Sequence, residues 1–509
     1  MSDLLYTYTN ELPLDAKVDA LVFAIVEIAD KKLPGQYKHI DEALGGQLSA
    51  VVKSGDFTGE EYGTLCLYNA TSVSAQRVLL IGIGKPKDWN RTGWQHVVGT
   101  AARALQQVKA KSAAFVLPKE YLKKLKIEEL GELFEKAFRV STYQFTDYKT
   151  DKKATLPTCS ALTIAPLMEA QAQQFAAGVA MGAIIADAVN AARRLGDTPS
   201  SDATPTHLAE HAVALGKTDK RFRVKVLERA DMERLKMGAL LGVARGAETP
   251  PKFIVVEWHG NKRASKTWYA LVGKAITFDS GGISLKPGEK MDEMKFDMGG
   301  GAVVLGAMRG IGALGLPVNI VGIVPATENM PGGRAQKPGD IVKTCRGKTI
   351  EILNTDAEGR LILADGIGYA HRYQPQAIVD LATLTGACMI ALGSHYAGLF
   401  SNNTPLFKQA NTAAELSGDR AWHLPLADAY TREIKSDIAD WQNLSKVGRY
   451  GGAITAAALL EQMAEEKPWA HFDIAGTAWA TEAKSWLGKG ATGYGVHLLI
   501  ELARDWAKK

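Results

Sequence analysis

The chain has 509 residues, 46% hydrophobic and 23% charged, with a formal net charge of +5. That composition is globular, exceeds one ordinary core, and excludes extensive disorder. A charge this small for the length permits a basic patch but does not demand a nucleic-acid partner.

The opening Met1-Ser2-Asp3-Leu4-Leu5 lacks the basic and apolar regions of a leader. No apolar run approaches the ~18 residues that span a bilayer, so a cytoplasmic location without a membrane partner is expected. Four widely spaced cysteines, Cys66, Cys159, Cys345 and Cys388, contain no C-x-x-C pair and read as reduced, buried thiols.

Val18 to Val26 and Arg77 to Gly84 are β-branched runs suited to buried strands. Thr92 to Ala110 reads as a helix, and Ala113 to Leu117 and Ala161 to Ala165 as strands. The first domain is expected to end there, at 1–166. Leu167 to Leu195 is an Ala-rich helical pattern taken as a bridge over 167–196, broken by Gly196-Asp197-Thr198-Pro199. Thr204-Pro205 then opens a helix with a capping side chain and a first-turn proline.

Over 197–509 the strands Val224 to Leu227, Phe253 to Trp258, Tyr269 to Gly273, Val318 to Pro325, Thr349 to Leu353 and Ala377 to Leu381 alternate with helices. The expected fold class is α/β in two domains. A smaller N-terminal α/β domain precedes a larger C-terminal catalytic α/β domain, whose mostly parallel central sheet is covered by helices.

Two clusters carry chemistry. Asn354-Thr355-Asp356-Ala357-Glu358-Gly359-Arg360-Leu361 packs two carboxylates and a guanidinium where a strand gives way to a helix. Upstream, Gly273 to Pro287 and Asp292 to Gly300 supply Lys274, Asp279, Lys286 and Asp297. Hard divalent cations prefer carboxylate oxygen, and buried acids are costly unless a cation neutralises them. Asp279, Asp297, Asp356 and Glu358 are therefore the candidate ligands. Lys274 could ligate only as a neutral amine, its pKa lowered from ~10.4 by a nearby dication. Lys286 would stay charged and stabilise an oxyanion. An isolated Asp-x-Glu-x-Arg is more often a solvated surface cluster, but the second cluster of matching character outweighs that.

Two motifs are decoys. Asp279-Ser280-Gly281-Gly282 resembles a serine-protease nucleophile segment, yet the chain lacks the all-β pattern and a histidine in a comparable context. Gly310-Ile311-Gly312-Ala313-Leu314-Gly315 fits G-x-G-x-x-G but follows a helix and precedes a strand, so it reads as a connection. The ten histidines contain no H-E-x-x-H pair.

At these residues the chain resembles the leucyl aminopeptidase family of dizinc metallopeptidases. Asn354 to Leu361 matches its signature octapeptide in full. The likeness extends through Gly273 to Gly300, Glu328-Asn329-Met330-Pro331, Asp380 to Gly386, Ile434 to Asn443, Gly451 to Ala457, Asp473 to Trp479 and Ala491 to Val496. It covers 180–509, whereas the N-terminal third matches only in its pattern of strands. The family's Asn-x-Pro-x-Asn appears here as Asp197-Thr198-Pro199-Ser200-Ser201, outside the metal motifs.

The resemblance implies a tight metal site of Lys274, Asp279, Asp297 and Glu358. A second, exchangeable site would use Asp279, Asp356 (side chain and carbonyl) and Glu358. The ions would be Zn2+ or Mn2+, with Mg2+ or Co2+ as alternatives at the exchangeable site. Lys286 and Arg360 fall at the family's catalytic positions, Arg360 holding a bicarbonate ion as general base. Met294, Thr383, Leu384, Gly386, Ala475 and Ala478 fall where the family lines its side-chain pocket. The implied protein is a homohexameric aminopeptidase acting on peptides with a free N-terminus, preferring Leu and similar residues, through a two-metal activated hydroxide. A DNA-binding role, as in some bacterial relatives, is the alternative. A scaffold without catalysis is opposed by the intact ligand set.

Overall fold

The β-branched runs of the N-terminal part become strands buried on both faces, as parallel sheets require. The computed structural model describes residues 4–68, 73–151 and 155–508, so Met1 to Asp3 of the leader reading lie outside it. In chain order the first strands are β1 (Leu5–Tyr8), β2 (Ala20–Ile25), β3 (Thr64–Tyr68), β4 (Arg77–Gly82), β5 (Ser112–Val116) and β6 (Ala161–Ala165). They form one sheet in the order β1-β6-β5-β2-β4-β3, parallel throughout except between β3 and β4. Helices Arg91–Gln107 and Ile127–Ser141 supply an aromatic core in which Trp94 meets Phe115 edge-on and Phe115 meets Phe134 likewise.

Two compact units divide the chain: Met1–Ala186 with Glu482–Lys489, and Asp187–Thr481 with Gly490–Lys509. The division falls inside the helix Glu169–Asp197. That helix continues through Gly196 and Asp197, where a break was expected. It is also the one described helix long and apolar enough to cross a membrane by length and composition, although Asp187 interrupts its apolar run. Its apolar residues Phe175, Ile185, Ala188, Val189 and Leu195 are buried in protein, the ordinary use of such a helix in a core. All four cysteines are free; Cys159 and Cys388 are buried, Cys66 and Cys345 only half-buried.

The second unit is built on β7 (Phe222–Leu227), β8 (Lys252–His259), β9 (Tyr269–Gly273), β10 (Ala275–Asp279), β11 (Asn319–Asn329), β12 (Ile341–Lys343), β13 (Thr349–Glu351), β14 (Ile378–Ala382), β15 (Ala397–Ser401), β16 (Ala421–His423), β17 (Trp441–Gln442) and β18 (Trp469–Asp473). The main sheet runs β16-β15-β18-β14-β9-β11-β8-β7, with β10 pairing the far half of β11. Its centre is parallel, and antiparallel pairs occur between β15 and β18 and from β11 outward through β8 to β7.

Two sequence expectations change here. The strand before the octapeptide, β13, belongs to a separate three-stranded sheet with β12 and β17, not to the main one. Only Ile350 of its three residues is buried, too little to insert it into a core buried on both faces. Most of the Gly310 to Gly315 motif lies in the last turn of the helix Gly299–Ala313, where the bare glycines let Ile500 and Phe222 pack closely.

The parallel strands β9, β10, β11, β14 and β18 bring their C-terminal ends together, the edge at which α/β sheets bind ligands. The helix Gly299–Ala313 starts against this edge. A Cβ on Gly300 would overlap the Leu381 carbonyl and lie 2.9 Å from the Lys274 amide. Gly300→Ala is therefore expected to destabilise the fold by roughly 1–3 kcal/mol. Gly288→Ala, with nothing within 4 Å of its added methyl, should leave stability unchanged. Denaturant unfolding of the two variants measures the difference.

Candidate metal centre

Lys274 occupies the one-residue break between β9 and β10, and a register irregularity in β10 sets Asp279. Asp297 comes from the 3-10 stretch Met291–Met298, and Asp356 and Glu358 from the turn before the helix Gly359–Ala370. Gly281 and Gly282 take φ of +88° and +68°, a turn open to glycine, and return the chain past the cluster to Lys286.

These side chains converge. Lys274 Nζ lies 2.8 Å from Asp297 Oδ2 and 2.9 Å from Glu358 Oε1, and donates to the Thr383 carbonyl at 2.9 Å. Lys286 Nζ lies 2.8 Å from Asp279 Oδ2 and 2.5 Å from Asp356 Oδ1. Asp279, Asp356 and Glu358 offer oxygens within 4.8 Å of one another, a spacing that one cation can bridge. Lys274, Asp279, Asp297 and Glu358 are buried, whereas Lys286 is half-buried and Asp356 is exposed. The cluster thus has a closed side and an open side.

Its electrostatics ask for positive charge. Burial pushes Asp297 well above the usual carboxylate range, with Asp279 and Glu358 adding to it and Lys274 opposing. Burial, then Asp279, raises Glu358, and burial also raises Asp356. For both lysines burial favours the neutral amine, but the surrounding carboxylates outweigh it and hold the ammonium forms. Lys274 therefore becomes a neutral ligand only where a dication takes over the proton's role. The donor set fits hard divalent ions: carboxylates that repel one another, with Asp297 Oδ2 in ion-pair contact but without a hydrogen bond.

Arg360 opens the helix Gly359–Ala370 and is buried, its Nη1 donating to the Asn443 carbonyl at 2.7 Å. Burial lowers its pKa to about 10 against the opposing charges of Glu358 and Asp473. Its Nε has no hydrogen-bond partner. A buried donor left unmade suits a small oxyanion such as bicarbonate.

The six pocket candidates are distributed around this edge. Thr383 Oγ1 donates to Asp297 Oδ1 at 2.8 Å, tying a pocket candidate to a ligand candidate. A Cβ built on Gly299 would lie 3.5 Å from both Thr383 Cγ2 and Ala478 Cβ, so those two walls share a neighbour. Behind Ala478 lies an apolar cavity of about 20 Å³ that Phe296 and Gly299 also line. Leu384 and Ala475 flank the β14 and β18 ends, Gly386 opens the helix Gly386–Leu392, and Met294 sits half-buried three residues before Asp297.

Three residues without a role in the sequence analysis hold the cluster together. Asn329 Nδ2 donates to Asp279 Oδ1 at 2.8 Å and to the Thr355 carbonyl at 3.0 Å, and lies 3.5 Å from Glu358 Oε2. Thr355 Oγ1 donates to the Gly281 carbonyl and accepts from Ser284 N, stitching the two motifs. Asn443 accepts from Leu353 N and donates to the Asn354 carbonyl. Asn329 and Asn443 fall within stretches that carry the family likeness, which was the available signal. Ser280 Oγ donates to the Asn329 carbonyl, a structural bond and no nucleophile's arrangement.

Residues 190–500 match the profile of the cytosol aminopeptidase family, catalytic domain, and residues 22–152 that of its N-terminal domain. A probable cytosol aminopeptidase of Nitrosococcus oceani is 44% identical over 498 residues, 97% of each chain. One from Alkalilimnicola ehrlichii is 42% identical over 485 residues, covering 95% of this chain and 96% of its own. Among solved structures, a mutant tomato leucine aminopeptidase superposes with a TM-score of 0.87 at 32% identity, covering 99% of this chain and 97% of that one. The bottromycin maturation enzyme BotP in complex with Mn gives 0.80 at 29%, with 96% and 100% covered.

Glu358 pairs with Lys274 on the closed side and lies within 4.8 Å of Asp279 and Asp356 on the open side. Glu358→Ala is expected to lose most bound divalent metal, since it removes a candidate ligand and unbalances the remaining charges. Asp356→Ala, at the exposed rim, should lose the more weakly held fraction. Elemental analysis after dialysis against a graded chelator series measures both, and equal losses would contradict the two-sided reading.

Proposed function

The chain belongs to the cytosol aminopeptidase family and is a metal-dependent exopeptidase, and from that premise we propose that it removes N-terminal Leu and other apolar residues from peptides by two-metal hydrolysis in the cytoplasm. The observation that carries this reading is the pairing of Lys274 with Asp297 and Glu358 on the closed side, and of Lys286 with Asp279 and Asp356 on the open side.

Lys274, Asp279, Asp297 and Glu358 would hold the tight ion, and Asp279, Asp356 and Glu358 the exchangeable one. The depth of the first set and the exposure of Asp356 support that order. Two bound divalent ions supply Lewis acidity and a water whose pKa falls from 15.7 toward ~7. The Mn in the related BotP structure favours Mn2+ alongside Zn2+.

The chain's own groups would do the remainder. Lys286, charged and half-buried at the open side, would donate to the oxyanion that forms at the scissile carbonyl. Arg360 would hold a bicarbonate ion with its unpaired Nε, keeping a proton acceptor beside the cluster. Thr383, Ala475 and Ala478 would bound an apolar pocket, with Met294, Leu384 and Gly386 at its rim. The homohexamer belongs to the same proposal, and light scattering measures it. No observation in the fold or among the relatives favours the DNA-binding alternative.

Lys286→Ala should lower kcat by ~10²–10³ while metal content stays close to wild type. Lys274→Ala should instead lose metal from the tight site, so equal losses in the two variants would mean the lysines' roles are exchanged.

A panel of aminoacyl amides tests the pocket. An acidic side chain would lose hydration without gaining a partner, so Leu and Met should exceed Asp in kcat/KM. Discrimination among apolar residues should be shallow, about 10–200-fold per methylene at most. A clear preference for Asp or Arg would remove the pocket assignment and leave the metal assignment standing.

A further inference from the structure

Asp473 ends β18 and is fully buried, yet among the described residues no lysine, arginine or histidine forms an ion pair with it. A carboxylate in that setting needs several hydrogen bonds to persist. Its partners come from two separate segments. Oδ1 accepts from the amides of Leu384 at 3.2 Å, Thr385 at 3.4 Å and Ala475 at 3.2 Å, and Oδ2 accepts from Thr385 Oγ1 at 2.6 Å.

Thr385 extends the link. Its Oγ1 also caps the helix Gly386–Leu392 by accepting from Cys388 N at 3.0 Å. The Cys388 thiol returns to the Asp473 carbonyl at 3.7 Å. The segment so gripped begins with Thr383, whose carbonyl accepts from Lys274 and whose hydroxyl donates to Asp297. One side chain therefore ties the turn after β14 to the turn after β18, and each turn carries pocket candidates: Thr383, Leu384 and Gly386 on one, Ala475 and Ala478 on the other.

We propose that Asp473 is a positioning residue that sets the spacing of the two pocket walls, and with it the discrimination among apolar N-terminal side chains. The inference rests on the aminopeptidase reading above. Asp473 touches no reacting atom; it acts through the Leu384, Thr385 and Ala475 backbone. An anion suits the task because one carboxylate oxygen can receive several amides at once, whereas a neutral amide must turn its NH2 toward the Thr385 hydroxyl.

The test is the kcat/KM ratio of Leu to Ala amides, with kcat and KM measured separately and metal content followed by elemental analysis. Asp473→Ala and Thr385→Val should each reduce the ratio by about tenfold, chiefly through KM for the Leu amide, with metal retained. Thr385→Ser restores the hydroxyl and should return the ratio to about the wild-type value. Thr385→Val decides the matter if Asp473→Ala does not fold. The proposal is overturned if folded variants keep the wild-type ratio while only their thermal stability falls, since that is purely structural behaviour. A wild-type preference for Asp or Arg amides overturns the apolar-pocket reading instead. The ratio between the preferred and Ala amides then still decides the role of Asp473.

Discussion

Crowded negative charge out of water is the constraint on which the second unit depends. Asp279 and Glu358 are buried within reach of each other, Asp297 shares Lys274 with Glu358, and Asp356 stands at their rim. Left uncompensated, each buried charge would cost several kcal/mol, more than a domain of ordinary stability tolerates for three at once. The surroundings answer that charge directly. Two lysines reach in, one between β9 and β10 and one from the loop after β10, the Asn329 amide spans Asp279 and Glu358, and bare glycine backbone leaves room for the approach.

The sheet delivers these groups because its central strands are parallel. Their C-terminal ends lie on one edge, so Lys274, Asp279, Asn329, Thr383 and Asp473 arrive there from five strands. The octapeptide arrives differently. It leaves the small β12-β13-β17 sheet, to which Asn443 still ties it, and is pinned to the main one by Thr355 and Asn329. Support therefore crosses the two sides: Asp279 on the open side is set by strand register, whereas Glu358 on the closed side and Asp356 on the open side share the side-chain to backbone bonds of the octapeptide.

The legibility of this arrangement in the sequence follows the range of each interaction. Lys274 and Asp279 are five positions apart, and Asp356, Glu358 and Arg360 lie within one turn, so local pattern and ligand chemistry were enough to select them. Asn329 was not selected, because its meaning lies in a partner 50 positions away. Asp473 and Asn443 reach across 88 and 90 positions, and no periodicity signals such bonds. The assignment of Thr349 to Leu353 to the main sheet failed for a related reason. An apolar run shows that a strand forms but not which sheet it joins. The long Ala-rich helix was legible because composition and the 3.6-residue period agree over many turns, while its end was not, since Gly196 is accommodated inside the helix.

The two lysines show how far residue type underdetermines role. Both are surrounded by acids that hold the ammonium form, and both look alike in sequence. They differ in depth: the Lys274 side chain is 3% exposed and that of Lys286 22%. A lysine sealed among carboxylates has little access to water, so its charge would be settled by a cation sharing the site. A lysine at an open rim keeps its charge by contact with solvent and can meet a substrate oxygen. Depth, set by the β9–β10 break for one and the Gly281-Gly282 turn for the other, is what would separate a ligand from an oxyanion donor in the proposed mechanism.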